Sequence, residues 1–264
     1  MRYSGVLTKM PTELAHPIQY YMVFNDGFLN VNQVLNKKMH LHLEGYQCLN
    51  CNKKKNIFRQ GFCYDCFYSS PEVGDWIMKP ELSTAHLGIA DRDLAYESKV
   101  QLQPHIVYLA ASSEIKVGVT RKTQVPTRWI DQGAEEAIAI VEVPNRYLAG
   151  IAEVALKNHF SDKTNWRKML TNEVIHPDLV AEREKVKDLL PEEVKPYVAQ
   201  TQSELQQLVY PVLSYPSKVN SLNLDKTPDF SATLVGIKGQ YLIFDDGTVF
   251  NVRSSEGYVV QIEL

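Results

Sequence analysis

The sequence lacks any long apolar run and any strong excess of charge of either sign. No stretch approaches the ~20 apolar residues that a membrane-spanning helix needs. Residues 1–9 alternate like a strand and do not form the apolar core of a signal peptide, so we expect a cytoplasmic protein that does not contact a membrane. With 44% hydrophobic and 22% charged residues, the 264-residue chain has the composition of a globular protein.

The sequence also lacks the short motifs of several common enzyme classes. It has neither a GxxxxGK(S/T) loop nor a GxGxxG segment before a helix, so the common modes of nucleotide binding have no support. It has no GxSxG nucleophile elbow and no HExxH zinc helix. His40 and His42 alternate on one side of a predicted strand, but no third ligand is evident. We interpret these two histidines as exposed strand residues.

Charge is low overall but unevenly distributed. The formal net charge is −3 and the sequence pI is about 6.2, whereas a compact nucleic-acid-binding domain is often strongly basic. Lysine and arginine nevertheless cluster at 53–59 and at 116–128, and acidic residues cluster at 182–193. The sequence is therefore compatible with a local basic face on an acidic protein.

Composition and turn residues divide the chain into six segments. The two ends are rich in the β-branched, aromatic and alternating residues that are typical of strands, and they can pair into one sheet. A hairpin turn is expected at 25–27. The segments are the β-rich residues 1–47, the cysteine-bearing residues 48–70, a helical connector 71–103, an α/β block 104–175, a helical linker 176–227 and the β-rich residues 228–264.

The α/β block predicts a small mixed unit within an α+β protein. Its apolar runs, glycines and prolines indicate the order β-β-α-β-α. Asn145 is a suitable N-cap for the last helix, and Gly150 inside that helix indicates a close approach by another part of the chain. The expected elements are strands at 106–110, 115–119 and 137–143, a short helix at 128–132 and a longer helix at 145–160.

All four cysteines lie in one short segment as two pairs. Cys48-x2-Cys51 and Cys63-x2-Cys66 are separated by eleven residues, a spacing that can place four thiolates around one Zn²⁺. Disulfides are rare in a cytoplasmic protein, and buried free thiols would not need paired spacing. Four thiolates leave no open position on the metal, so the sequence predicts a structural zinc ribbon.

The residues between the two cysteine pairs mix cations with an aromatic ring. Lys53, Lys54, Lys55 and Arg59 can pair with phosphates, and Phe58 can stack on a base. Equally, the lysines can simply be solvated in a loop while Phe58 packs inward. The sequence alone supports the two interpretations about equally.

The α/β block carries a recognisable series of residues that points to one superfamily. Ile106-Val107-Tyr108 is followed by Lys116-Val117-Gly118, by Arg128 ten residues later, by Glu153 on the later helix and by Asn165. In a shortened and divergent form, this series resembles the GIY-YIG nuclease superfamily over roughly a quarter of the chain. The resemblance implies a GIY-YIG-like core and a site built from these residues.

The resemblance further implies that these residues cleave a phosphodiester. Tyr108 would help to activate a water, Arg128 would stabilise charge on the phosphate, and Glu153 would hold a Mg²⁺ ion. Lys116 would add positive charge, but it stands where the superfamily has a second tyrosine, and Ile106 replaces a glycine. Because one phenol is lost, a copy of the fold that binds without turnover is an alternative.

Each candidate residue also has a purely structural interpretation. Tyr108 can be a core residue of its strand, and Arg128 can stack on or pair with a neighbour. Glu153 and Lys157 have the favourable i,i+4 order of a surface ion pair. Asn165 can cap the helix that follows it.

The whole chain is also similar to a bacterial family of uncharacterised proteins that joins a zinc ribbon to such a block. Residues 103–110 and 127–134 carry that likeness, which implies no activity. The sequence therefore predicts a protein that acts on DNA or RNA, as a metal-dependent phosphodiesterase or as a noncatalytic binding or adaptor protein. A scaffold that binds a protein partner through the β-rich ends is a third hypothesis, favoured by the slightly acidic charge.

Overall fold

The chain folds into a mixed α+β structure with several sheets, as the sequence predicts. Within the described residues, no helix is long and apolar enough to cross a bilayer. The turn expected at 25–27 includes Asp26, and the polar segment before Asn165 includes residues 161–164; these five residues lie outside the described part of the chain. The computed structural model describes residues 1–25, 27–160, 165–199, 201 and 204–264.

The strands and α-helices have the following bounds. The strands are β1 (Arg2–Val6), β2 (Thr12–Glu13), β3 (Gln19–Phe24), β4 (Gly27–Asn30), β5 (Lys38–Tyr46), β6 (His105–Ala111), β7 (Ile115–Arg121), β8 (Glu136–Val143), β9 (Gln206–Gln207), β10 (Asn220–Ser221), β11 (Asp229–Lys238), β12 (Tyr241–Phe244), β13 (Thr248–Asn251) and β14 (Tyr258–Glu263). The helices are α1 (Tyr64–Ser69), α2 (Leu94–Gln101), α3 (Thr127–Asp131), α4 (Arg146–Leu156), α5 (Trp166–Leu170), α6 (Leu179–Val186) and α7 (Lys195–Val198).

The largest sheet contains strands from both ends of the chain. Its order is β1-β14-β5-β11-β12-β13-β10, and β14 pairs antiparallel with β1 on one side and β5 on the other. Met39 and Leu41 of β5 are buried, whereas His40 and His42 are half-exposed, because alternate residues of a strand point to opposite faces. The Nδ1 atom of His42 lies 2.6 Å from Oδ1 of Asp229 on β11, a neighbour that sequence spacing did not reveal.

The second sheet has the order β7-β6-β8-β9 and is antiparallel throughout. All seven residues of β6 are buried, because this strand is covered on both faces. Val107 and Leu109 pack in a core with α4 and α6, while Ile106 and Tyr108 pack in the core shared with the larger sheet. The elements β6, β7, α3, β8 and α4 follow the predicted order.

Helix α4 is shorter than the predicted helix at 145–160, and its start is as expected. The Oδ1 atom of Asn145 accepts a hydrogen bond of 2.9 Å from the backbone N–H of Leu148. A Cβ atom on Gly150 would lie 2.2 Å from the backbone nitrogen of Glu81. The turn at Pro80–Leu82 therefore packs directly on the backbone of α4, which is the close approach that Gly150 predicted.

Candidate metal centre and basic cleft

The four cysteines come together as their spacing predicts. Their sulfur atoms all lie within 4.8 Å of one another, and none of the four is in a disulfide. The Sγ atoms of Cys51 and Cys63 are 4.0 Å apart, which is close to the ~3.8 Å separation of two thiolates on a tetrahedral Zn²⁺ with Zn–S bonds of ~2.3 Å. The cluster can therefore bind a metal such as zinc.

Backbone groups favour the thiolate form, which binds a metal, at Cys48. The N–H of Cys63 donates to Sγ of Cys48 at 3.3 Å. Burial raises the pKa of the Cys48 thiol, but hydrogen bonds from the backbone at Cys51, Cys63 and Asn50 outweigh it and lower the pKa to about 6. At Cys66 a hydrogen bond from Asn50 lowers the pKa, but burial and the neighbouring cysteines outweigh it and raise the pKa to about 12. Because the thiolate is the ligand form of cysteine, the local structure at Cys48 suits a metal.

In the loop between the cysteine pairs, Phe58 is partly packed, as expected of a structural residue, and partly exposed, as expected of a ring that stacks on a base. The ring of Phe58 packs on the rings of Tyr64 and Phe67, with centroids 5.2 and 5.3 Å away, yet Phe58 keeps 40% of its surface exposed. Arg59 places its guanidinium 5.3 Å from the centre of the Phe58 ring. Lys55 pairs with Asp65 at 2.8 Å.

A cleft of about 1170 Å³ lies where the cysteine segment, the connector, the α/β block and the larger sheet meet. Phe58 and Arg59 line it from the cysteine segment, and Lys116 and Arg128 line it from the α/β block. The cleft therefore brings the loop at 52–62 and two of the predicted site residues to one place.

This basic cleft has an excess of positive charge. Among the described residues, seven basic side chains and three acidic ones line it, although the whole chain has a net charge of −3. Asp131 is paired within the cleft by Lys9 at 2.6 Å and by Arg253 at 3.5 Å. The basic residues are Lys9, Arg59, Lys116, Arg121, Arg128, Arg146 and Arg253, and the acidic residues are Glu72, Asp131 and Glu256.

Lys116 is held in an unusual state at the wall of the cleft. Only 7% of the surface of Lys116 is exposed. Burial and, to a smaller extent, the charge of Arg128 lower the pKa of its amine to about 7. A lysine with such a pKa is partly neutral near pH 7 and can accept a proton there.

Tyr108 lies fully buried beneath the cleft. Its hydroxyl donates a hydrogen bond of 2.9 Å to Oε1 of Gln132, which lines the cleft. Burial raises the pKa of Tyr108; the charge and hydrogen bond of Arg128 lower it, and the charge of Glu153 raises it. Gly118, opposite on β7, leaves room for the ring, because a Cβ there would lie 2.6 Å from the Tyr108 hydroxyl oxygen. Tyr108 is therefore placed to position Arg128 and Gln132.

Glu153 lies on α4, outside the lining of the basic cleft. Its carboxylate pairs with Lys157 at 3.5 Å, which is the ion pair that its spacing suggests, yet the side chain is only 12% exposed. Burial raises the pKa of Glu153, while Lys157 lowers it, Glu81 raises it and Arg146 lowers it. Oε2 is the atom that makes the ion pair with Lys157, and it has no further hydrogen-bond partner among the described residues. The turn at Pro80–Leu82 explains this burial, which the helical periodicity did not predict.

Asn165 has the structural role that its position suggests. Its Oδ1 atom accepts hydrogen bonds from the backbone N–H groups of Arg167 and Lys168, at 3.2 and 3.3 Å, and so caps α5. Trp166, the first residue of α5, lines the cleft. The cap therefore contributes to the cleft by fixing where α5 begins.

Several cleft residues were not predicted from the sequence. Arg146 donates from Nε to the carbonyl of Trp76 at 3.1 Å and from Nη2 to that of Ile77 at 2.7 Å, and burial lowers its pKa to about 10. The rings of Trp166 and Tyr241 stack at 5.8 Å with an angle of 9°. No motif marks these residues; their neighbours are distant in sequence.

Comparison with known proteins bears on the family but not on the chemistry. A search of curated proteins gave no match, and a search of solved structures gave none either. A family model described as "Protein of unknown function (DUF2797)" matches residues 36–260. That range covers most of the chain and includes the four cysteines, Lys116 and Arg128. The chain therefore belongs to the DUF2797 family of proteins of unknown function.

Proposed function

We propose that this protein binds nucleic acid in the basic cleft and that a structural Zn²⁺ in the cysteine cluster holds the loop at 52–62 against it. The observation that carries the proposal is the excess of basic over acidic side chains in one cleft of a chain with a net charge of −3. Phosphate contacts from lysine and arginine supply much of the affinity for nucleic acid. Zinc supports this function by fixing Phe58 and Arg59, which line the cleft.

The arginines of the cleft are suited to the phosphate backbone. A guanidinium presents several N–H donors in a plane and can contact two phosphate oxygens at once. Arg128 is the best positioned of these arginines to contact a phosphate, because it lines the cleft and its hydrogen bond to the buried hydroxyl of Tyr108 fixes its guanidinium there. A phosphate beside Arg128 would also lie near the amine of Lys116, whose pKa that arginine helps to lower.

Replacing Arg121 with alanine tests the binding proposal. Arg121 ends β7 and lines the cleft, so its loss should weaken binding of mixed DNA and RNA about 5- to 10-fold at low salt. The slope of log affinity against log salt should fall by about one. The control is Arg2→Ala: Arg2 is exposed, pairs with Glu263 at 2.5 Å and does not line the cleft. Equal effects of the two variants, or no binding by the wild-type protein, would exclude the cleft as the site.

A second candidate function is divalent-metal-dependent cleavage of a phosphodiester, as the GIY-YIG resemblance implies. The observation that favours it is the partly neutral Lys116 beside Arg128 at the cleft wall. The neutral amine can accept a proton from the attacking water, and Arg128 can stabilise charge on the phosphate. Glu153 lies outside the lining of the cleft, but its charge acts on Tyr108 beneath it. Cleavage requires Glu153 to hold a Mg²⁺ ion that would neutralise the leaving oxygen as the P–O bond breaks. Binding without turnover is the alternative.

Replacing Glu153 with glutamine separates these two functions. The change keeps the shape of the side chain but removes the charge that a Mg²⁺ ion requires. If the protein is a nuclease, wild type should cleave mixed DNA and RNA only with Mg²⁺, and E153Q should lose at least about 100-fold of that rate. The matched control is Glu182→Gln, which removes a surface carboxylate paired with Lys185. Tight binding by wild type without any cleavage would assign the noncatalytic function.

A further inference from the structure

The cysteine segment presents an aromatic surface that its own packing does not cover. The rings of Phe58, Tyr64 and Tyr68 contact one another, with centroids 5.2 Å apart for Phe58 and Tyr64 and 4.8 Å apart for Tyr64 and Tyr68. All three nevertheless stay exposed, by 40%, 60% and 56%. Exposed aromatic surface of this kind marks interaction sites. Exposed Lys53 and Lys54 belong to the same loop as Phe58.

A second aromatic group lines the same cleft from α5 and β12. Trp166 stacks nearly parallel on Tyr241, with centroids 5.8 Å apart and an angle of 9°. The guanidinium of Arg167 lies 4.2 Å from the centre of the Trp166 ring. Arg167 is exposed, and its guanidinium plane can itself stack on a base.

The two aromatic groups bear on whether the cleft binds a single strand or a duplex. In a duplex, the bases are paired and stacked on one another, so side chains reach only phosphates, sugars and base edges. In a single strand, each base offers a free face, and proteins bind it by combining a cationic groove with aromatic side chains. The basic cleft has both components, because Phe58, Trp166 and Tyr241 line it together with its lysines and arginines.

We propose that the cleft takes a single-stranded segment of nucleic acid, whose phosphates contact the cations and whose bases stack on Phe58 and on the end of the Trp166–Tyr241 stack. This inference rests on the proposed nucleic-acid binding and specifies its ligand. It also gives the cysteine cluster a second role. By fixing the loop at 52–62, a metal there would set the position of one of the two stacking sites.

Fluorescence anisotropy with labelled 20-nucleotide strands, without added Mg²⁺, tests the inference. Three probes of one sequence are compared: single-stranded DNA, single-stranded RNA and the blunt DNA duplex. We expect tighter binding of a single strand than of the duplex, and the DNA and RNA arms identify which one. Phe58→Ala should weaken single-strand binding about 5- to 100-fold and weaken duplex binding by a smaller factor, through the loss of support for Arg59. Phe58→Leu retains apolar packing but has no ring, so it should also weaken single-strand binding.

The control is Phe28→Ala. Phe28 is also an exposed aromatic, 64% accessible and edge-on to Tyr21 at 5.8 Å, but it does not line the cleft. This variant should bind all three probes like wild type.

Tryptophan fluorescence gives an independent measurement of stacking. Trp129 and Trp76 are buried, although Trp76 also lines the cleft, so a base that stacks near Trp166 should quench mainly that residue, and Trp166→Leu should remove most of the quenching. Equal affinity for single strand and duplex, with no effect of either Phe58 variant, would overturn the stacking inference but leave nucleic-acid binding intact. Failure to bind any of the three probes would overturn both.

Discussion

Replacing Cys63 with serine should abolish metal binding at the cysteine cluster and unfold residues 48–70 while the two large sheets persist. The apolar cluster of this segment contains little besides the cysteines themselves, with Phe62 and Val73 as its other buried members. So small a core cannot offset the entropy of ordering the segment. Structural zinc contributes apparent binding energies of about 10–16 kcal/mol in zinc-finger peptides, so the metal should account for most of the stability here.

The expected result is measured by metal content and by hydrogen exchange. Wild type should contain one zinc per chain, and C63S should contain far less. Amide protection should disappear across 48–70 in C63S but persist in β6 and β14, because the cores of the two sheets do not include the cysteines. The control is Ser69→Ala in α1. Among the described residues, the Ser69 hydroxyl makes one hydrogen bond, to the carbonyl of Asp65 at 2.8 Å. A zinc-loaded, protected C63S would refute the four-cysteine site.

The same variant links the metal to the cleft. Once the loop at 52–62 is disordered, Phe58 and Arg59 no longer line the cleft, so nucleic-acid affinity should fall at least as far as in Phe58→Ala. If C63S loses zinc but binds nucleic acid like wild type, the cysteine segment does not contribute to binding.

Features that depend on local spacing could be predicted from the sequence. Two CxxC pairs predict a cluster because each pair forms its own turn, and Asn145 predicts the start of α4 because an N-cap acts within three residues. Gly150 predicted a close approach, but nothing in the sequence indicated that its neighbour would be the turn at Pro80–Leu82. That long-range contact buries Glu153, which helical periodicity had placed on the surface.

The cation clusters at 53–59 and 116–128 supply four of the seven basic side chains described in the cleft. The sequence did not show that they meet in one place, because the lining combines residues as distant as Lys9 and Glu256. Net charge is a sum over the whole chain, so a value of −3 conceals a local excess of cations. Trp166 and Tyr241 illustrate the same limit: each looks like an ordinary core aromatic, and only the packing of α5 on β12 makes them a stack.

Replacing Lys116 with methionine will make the protein more stable at pH 6 and should weaken the proposed function of the cleft. In the folded protein, burial and then the charge of Arg128 lower the pKa of this amine from 10.5 to about 7. At pH 6 the amine is protonated in both the folded and the unfolded states. A pKa unit corresponds to 1.36 kcal/mol, so a fall of about 3.5 in this pKa means that keeping the charge in the fold costs roughly 5 kcal/mol. Methionine has a similar length and no charge, so K116M should gain about 2–4 kcal/mol in unfolding free energy.

The gain should depend on pH in a defined direction. Between about pH 7 and pH 10.5 the folded protein has a neutral Lys116, while the unfolded chain still binds the proton. The contribution of Lys116 to the free energy of unfolding of the wild-type protein therefore rises with pH across that window, because the unfolded chain binds one more proton at Lys116 than the folded protein does. The advantage of K116M should shrink over the same range and be smallest above pH 10. Urea unfolding at pH 6, 8 and 10 measures it, with Lys122→Met, an exposed lysine paired with Glu142 at 2.9 Å, as control.

A lysine buried at such a cost points to a role other than stability, since an apolar side chain of similar size would not carry the cost of a buried charge. Binding and catalysis make different demands on it. If Lys116 only contacts phosphate, K116M should bind more weakly and wild-type affinity should fall as pH rises through 7. If it accepts a proton from water, the cleavage rate should instead rise through pH 7 and vanish in K116M. A K116M protein that is less stable at pH 6 and binds like wild type would make Lys116 a structural residue and exclude both roles.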